Sequence, residues 1–172
     1  MTDLFCAEGI RRAAAALPRV WENGADREAR ADMAYASLLG GLALANAGLG
    51  AVHGFAAPVG GMWDAPHGAV CAAFLPYVME VNVRALRARG SARRYEEVAR
   101  LLTGRPHATA EDGAAWIAGL CRRLEVPALR VYGVREANIP DIVAKAAKAS
   151  SMKGNPVELT PAELREIVER AI

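Results

Sequence analysis

The sequence predicts an all-α protein, a helical bundle forming a single domain over residues 1–172. Three observations carry this. Alanine, the strongest helix former, fills 37 of 172 positions. No convincing set of alternating strands occurs. Helix-cap signals punctuate the chain at intervals suited to helices. With 53% hydrophobic and 23% charged residues, the chain can bury a sizeable core, and the abundance of alanine predicts helices packed closely through small side chains. The net charge is +2, with basic and acidic residues interspersed. That excludes the electrostatic footprint of a nucleic-acid binder and leaves no polybasic membrane patch.

The elements follow in order. A first helix is expected from about Asp3 to Pro18, capped by Thr2 or Asp3, with Leu4, Ile10 and Leu17 near helical period and Arg11 and Arg12 on the wet side. Asn23-Gly24 signals a turn. Asp26 is the expected N-cap of a second helix reaching about Ala47, with Glu28 in its positive first turn. Gly40 and Gly41 inside it imply close approach of another backbone, since glycine is otherwise unfavourable in a helix by about 1 kcal/mol. This helix therefore reads as central and covered on most sides. A short helix is expected over Val52–Val59, with Gly60-Gly61 reversing the chain. Asp64-Ala-Pro-His67 then starts a helix with Val70, Phe74, Val78 and Val81 on one face, kinked by Pro76. Further helices are expected at about Ala92–Leu102, at Ala110–Leu124 with Thr109 as cap and Asp112 in the capping-box position, and from Pro140 to about Lys148. Pro127–Val134 reads as extended. The last helix has the clearest start: Thr160 as cap, Pro161 at the first position, Glu163 reaching back.

From Met33 to Trp63 there are 31 residues without Asp, Glu, Lys or Arg. Length alone permits a membrane span of roughly 20 residues. Fifteen of the 31 are Gly or Ala, and Asn46, His53 and Pro58 interrupt the run, so two buried helices joined by a turn fit better. The three cysteines, Cys6, Cys71 and Cys121, show no CxxC spacing and read as reduced thiols used as small core residues. The N-terminus lacks an apolar signal region, so a cytoplasmic location is expected, with no membrane and no nucleic acid among the partners.

Candidate chemistry rests on histidine. His107 lies in a loop-like stretch and reads as exposed and idle. His53 and His67 bracket the turn. In one continuous helix they would stand about 21 Å apart; a reversal would bring the two imidazoles face to face as half of a metal site. At a helix N-terminus His67 is favoured as neutral imidazole, the form a divalent ion requires. Asp64 is the only acidic residue between Asp32 and Glu80, and could cap the helix, support His67 from behind, or act as a weak ligand. On spacing alone, two core histidines satisfied by their surroundings are the better reading, and two ligands are fewer than the three protein ligands of most catalytic sites.

The string Asn46-Ala-Gly-Leu-Gly-Ala-Val-His53-Gly-Phe-Ala-Ala-Pro58-Val-Gly-Gly61, followed by Asp64-Ala-Pro-His67-Gly68, resembles the signature of the iron-containing (group III) alcohol dehydrogenases, a family that includes maleylacetate reductase-like enzymes. Leu75-Pro76, Val78-Met79 and Asn82 look like its continuation, and Gly154-Asn155-Pro156 with Thr160 and Glu163 is similar to its C-terminal segment. The resemblance implies the helical bundle seen in the C-terminal domain of these enzymes and of dehydroquinate synthase-like proteins. It implies that His53 and His67 are metal ligands for iron (Fe2+) or zinc. It also implies an incomplete site, because two further ligands belong to an Asp-x-x-x-His motif that would precede Thr2. A third family histidine falls on Ala57, and substrate-pocket positions fall around Ser151 and Lys153.

No Gly-rich strand-turn-helix appears. The resemblance therefore implies a truncated piece whose N-terminal nucleotide-binding domain is absent from the chain. NAD(P) would bind only with that domain, and the chain itself offers no catalytic and no cofactor-binding residue. The expected function is the metal-binding C-terminal domain of an iron-dependent NAD(P) alcohol dehydrogenase, an alcohol/aldehyde oxidoreductase, inactive alone. The alternative is a non-catalytic helical module, a homo-oligomer or the partner of a separate nucleotide-binding domain. Metal affinity of two imidazoles alone is expected to be weak, with Asp64 or a second subunit available to complete the site.

Overall fold

The computed structural model describes residues 1–172, which form eight α-helices and three short 3-10 turns with no β-strand. The helices are α1 (Thr2–Glu22), α2 (Arg27–Asn46), α3 (Ala51–Met62), α4 (His67–Ala88), α5 (Arg93–Thr103), α6 (Ala110–Arg123), α7 (Ile139–Lys148) and α8 (Pro161–Ala171). The chain divides into two compact units, residues 1–48 with 92–120 and residues 49–91 with 121–172.

In the first unit α1 packs along α2 and α5. Asp26 caps α2 as expected, its carboxylate accepting from the Ala29 N–H at 3.0 Å. Thr109 and Asp112 make the reciprocal capping bonds of α6, at 2.8 and 3.1 Å. Three expectations fail here. α1 continues through Pro18 to Glu22, because proline removes only one hydrogen bond and the turn beyond it is held by Arg19, which pairs with Asp26 and Glu28. Leu4 is exposed, and so is Cys6, which is no core residue. α2 is not a covered central helix: it buries only Ala29, Leu39 and Ala43, and the space beside Gly40 and Gly41 is open. Close approach is made instead by Gly113, where an added Cβ would stand 3.0 Å from the Ala99 Cα.

The second unit holds the larger side chains. α3 packs on α4 and α7, and α8 packs on α4 and α7. Phe55 and Phe74 are fully buried and stack with ring centroids 4.9 Å apart. Val70, Phe74, Val78 and Val81 all lie in this core, on the α4 face the sequence indicates. α8 begins with the expected box: Glu163 accepts from the Thr160 N–H at 2.7 Å, and Thr160 caps the Glu163 N–H. Residues 129–132, expected to be extended, form a 3-10 turn around fully buried Leu129. By length and composition α4 could cross a bilayer; 56% of its most apolar window is buried within the protein.

The chain does not reverse at Gly60-Gly61. α3 runs through both glycines to Met62, with the Trp63 N–H bonded to the Val59 carbonyl at 3.0 Å. Val59 is buried and Met62 packs against the core, so tertiary contacts carry the helix past its weak residues. The reversal falls on Trp63–Pro66, where Pro66 disfavours helical geometry at Ala65. Asp64 consequently caps nothing. The cap position is Pro66, two residues later, and Asp64 is exposed in the turn.

Candidate metal centre

The later turn still produces the expected meeting. His53 sits in the first turn of α3 and His67 is the first residue of α4. Their ring centroids are 5.4 Å apart, with planes tilted by 47°. His53 is half-buried and His67 exposed, so the pair opens to one side. Burial, and then the neighbouring His67, push the His53 imidazole below its ordinary pKa of 6.5. His53 therefore presents a neutral nitrogen donor near neutral pH.

A third donor joins them. Cys71, one helical turn beyond His67 on α4, places its Sγ 3.5 Å from His67 Nε2. One ligand atom from each of His53, His67 and Cys71 falls within 4.8 Å of the others. Two ligands on a tetrahedral zinc-type ion, one nitrogen at about 2.0–2.1 Å and one sulfur at about 2.3 Å, stand about 3.6 Å apart. The donor set therefore fits a divalent transition metal. The Cys71 thiol is half-buried, and burial raises its pKa above the ordinary 9.0. The reading of Cys71 as a small core residue misses this grouping. The available signal was its spacing: four residues on a helix bring side chains to one face.

Sequence reasoning also passed over the support behind the site. Asn155 and buried Asn82 exchange two amide hydrogen bonds, at 3.0 and 2.8 Å. Asn155 Oδ1 also accepts the Ala51 N–H at the start of α3, at 3.2 Å, and its amide donates to the Val157 carbonyl at 2.7 Å. Two donors and two acceptor sites are thus all used. This one side chain ties the beginning of α3, two residues before His53, to α4. Gly154 beside it has no room for a side chain, since a Cβ would stand 2.0 Å from the Leu49 carbonyl oxygen.

The other sequence candidates lie on α3 and on the 3-10 turn Ser150–Gly154 that packs against it. Ala57 is exposed one turn beyond His53, and Ser151 is half-buried in the 3-10 turn Ser150–Gly154. Lys153 is exposed and lines an open cavity of about 540 Å³ with Met152, Asn155 and Leu159; neither histidine contributes to that lining. His107 is exposed as expected. With no strand in the chain, these residues build no strand-turn-helix cradle for a dinucleotide and do not fit NAD(P).

A sequence model of the Fe-containing alcohol dehydrogenase family, C-terminal, matches residues 1–172. The chain belongs to this family. 1,3-Propanediol dehydrogenase of Klebsiella pneumoniae is 34% identical over 177 residues, covering 99% of this chain and 44% of that protein. Among solved structures, a 1,3-propanediol oxidoreductase superposes with a TM-score of 0.88 at 32% identity, over 99% of this chain and 45% of that one. Maleylacetate reductase from Rhizobium sp. strain MTP-10005 superposes with a TM-score of 0.78 at 25% identity, again over 99% and 45%. The family domain described here thus spans less than half the length of these relatives. The resemblance read from the two-histidine block and the Gly-Asn-Pro tail is borne out.

Proposed function

We propose that this chain is the metal-binding C-terminal domain of an iron-dependent NAD(P) alcohol dehydrogenase, an oxidoreductase of alcohols and aldehydes, and that it is not catalytically competent alone. The observation supporting this is the meeting of His53 and His67 across the α3–α4 turn. A bound ferrous or zinc ion supplies Lewis acidity toward an alcohol oxygen. His53 and His67 would hold it through neutral ring nitrogens, and burial keeps the His53 lone pair available. Asn155 fixes the two helices that carry the rings. Ala57, on the His53 side of α3, offers no group to move a proton. Ser151 and Lys153 stand as substrate-pocket candidates, and Asp64 as an outer carboxylate. NAD(P) and the remaining ligands belong, on this reading, to an N-terminal domain that this chain does not contain. The setting is the cytoplasm, where three free thiols stay reduced.

The test is metal content and turnover of the purified chain, prepared without a nickel column. Weak iron or zinc binding is expected, lost in His53→Ala and in His67→Ala, with no NAD(P)-dependent alcohol oxidation; one tightly held ion per chain would mean that other ligands complete the site. Metal binding unchanged by both substitutions would remove the site. Turnover by the chain alone would remove the claim of dependence on another domain.

One observation favours the second reading, a self-associating or partner-binding module. Tyr35, Leu38 and Leu42 form an exposed stripe along α2 at helical spacing, with Leu44 also exposed. Light scattering separates the readings: a monomer at all concentrations would dismiss the stripe as a docking face.

A further inference from the structure

We propose that Trp63 is a positioning residue for the histidine pair: its indole, seated against the backbone at Gly133, clamps the α3–α4 turn from which His67 is brought to His53. The inference rests on the metal-binding reading above and adds what keeps the two rings together.

The turn has few other restraints. Its backbone bonds are local, from the Trp63 N–H to the Val59 carbonyl at 3.0 Å and from the Ala65 N–H to the Trp63 carbonyl at 2.9 Å. No side chain caps the start of α4. An uncapped helix start frays, because its first N–H groups have no partner within the helix. His67 is the first residue of that helix and is exposed. Within residues 63–66, Asp64 and Pro66 are exposed and Ala65 is small, so Trp63 is the one large side chain of the turn packed against the core.

Trp63 also has a rigid seat. A Cβ built on Gly133 would stand 3.5 Å from Trp63 Cδ1 and 3.8 Å from Nε1, ordinary van der Waals contact, so the ring lies against bare backbone. Gly133 closes the 3-10 turn Leu129–Tyr132 in the left-handed region, at φ 92°, which favours glycine. Leu129 and Val134, to either side, are fully buried and fix the seat from the core. An indole offers a large, stiff surface with only two side-chain torsions, so its contact restrains the backbone that carries it. Asn155 thus ties the beginning of α3 and Trp63 ties its end, with His53 between them and His67 just past the second tie.

The experiment is NMR spectroscopy of the metal-free chain, followed by titration with Co2+. In the unsubstituted chain, nuclear Overhauser cross-peaks are expected between the Trp63 ring and the Gly133 Hα protons, and between the His53 and His67 rings. Trp63→Leu and Trp63→Ala should lose the histidine–histidine cross-peaks while those between Phe55 and Phe74, which report the core, persist. The same variants should bind Co2+ about tenfold more weakly. Trp63→Phe, which keeps a flat ring, should restore both readouts. No Trp63–Gly133 cross-peak in the unsubstituted chain, or histidine–histidine cross-peaks unchanged in Trp63→Leu, overturns the clamp and leaves the metal-binding reading standing. Loss of the Phe55–Phe74 cross-peaks together with the histidine ones makes Trp63 a general core residue and overturns the positioning role. If the unsubstituted chain binds no Co2+, the metal-binding reading falls, and the cross-peaks still decide the clamp.

Discussion

α2 and α4 look alike in sequence and behave differently in the fold. Both are long and alanine-rich, with extended runs free of charge. α4 buries ten residues, among them Val70, Phe74, Val78 and Val81; α2 buries three and leaves Leu38, Leu42 and Leu44 in solvent. The difference is the size and spacing of side chains. In α4 large residues recur every three or four positions and build a face. In α2 the exposed Tyr35, Leu38 and Leu42 make only a narrow stripe among Gly and Ala, not wide enough to command a core. A run without charge marks the absence of an electrostatic penalty, and burial needs a positive apolar face besides.

The sharpest way to break this comparison is to truncate one apolar residue in each helix. Phe74→Ala should destabilise the chain by about 3–5 kcal/mol, since Phe74 is fully buried and stacked on Phe55. Leu38→Ala should change stability by no more than about 0.5 kcal/mol. Urea denaturation of the two variants measures both, and similar losses would refute the distinction. Next comes Asn155→Ala. It strands the Ala51 N–H and the Asn82 amide, at about 1–3 kcal/mol for each buried group left unpaired. The same variant should bind metal more weakly, because α3 loses its tie to α4. Unchanged affinity would show that the histidine geometry does not depend on this side chain.

The smallest expected effect concerns acid, and it contrasts the surface electrostatics of the first unit with the apolar core of the second. The Thr109 backbone N–H, and then the Arg105 guanidinium, hold the Asp112 carboxyl at about 2 against an ordinary 3.8. Glu8 is likewise lowered to about 2 by Arg11 and Arg12. A carboxyl with a depressed folded-state pKa contributes stability above its unfolded pKa and loses it as pH falls toward the folded value. Stability should therefore decline between about pH 4 and pH 2, and Asp112→Asn should shallow that decline. An acid limb identical in the variant would contradict the assignment.

The legible parts of the fold were those written in local chemistry. Thr160-Pro161-Glu163 and Thr109 with Asp112 fix helix starts by side-chain bonds within three residues, and they appear as read. The α4 face was legible because its period is set by large residues. The reversal was misplaced because Gly60 and Gly61 are weak helix residues in isolation, whereas Val59 and Met62 hold the helix from the core side. Asp64 lost its capping role through that same displacement. At the site, the histidine pair was readable from the string around it. Cys71 and Asn155 were not singled out for their roles, since one depends on which face α4 turns toward α3 and the other on a contact 104 residues away in sequence.

The most direct test of the central claim is X-ray absorption at the zinc edge of the zinc-loaded chain. Two imidazole nitrogens at about 2.0–2.1 Å, with the characteristic outer-shell scattering of their rings, are the predicted result. A shell of oxygen atoms with no imidazole scattering would contradict the account.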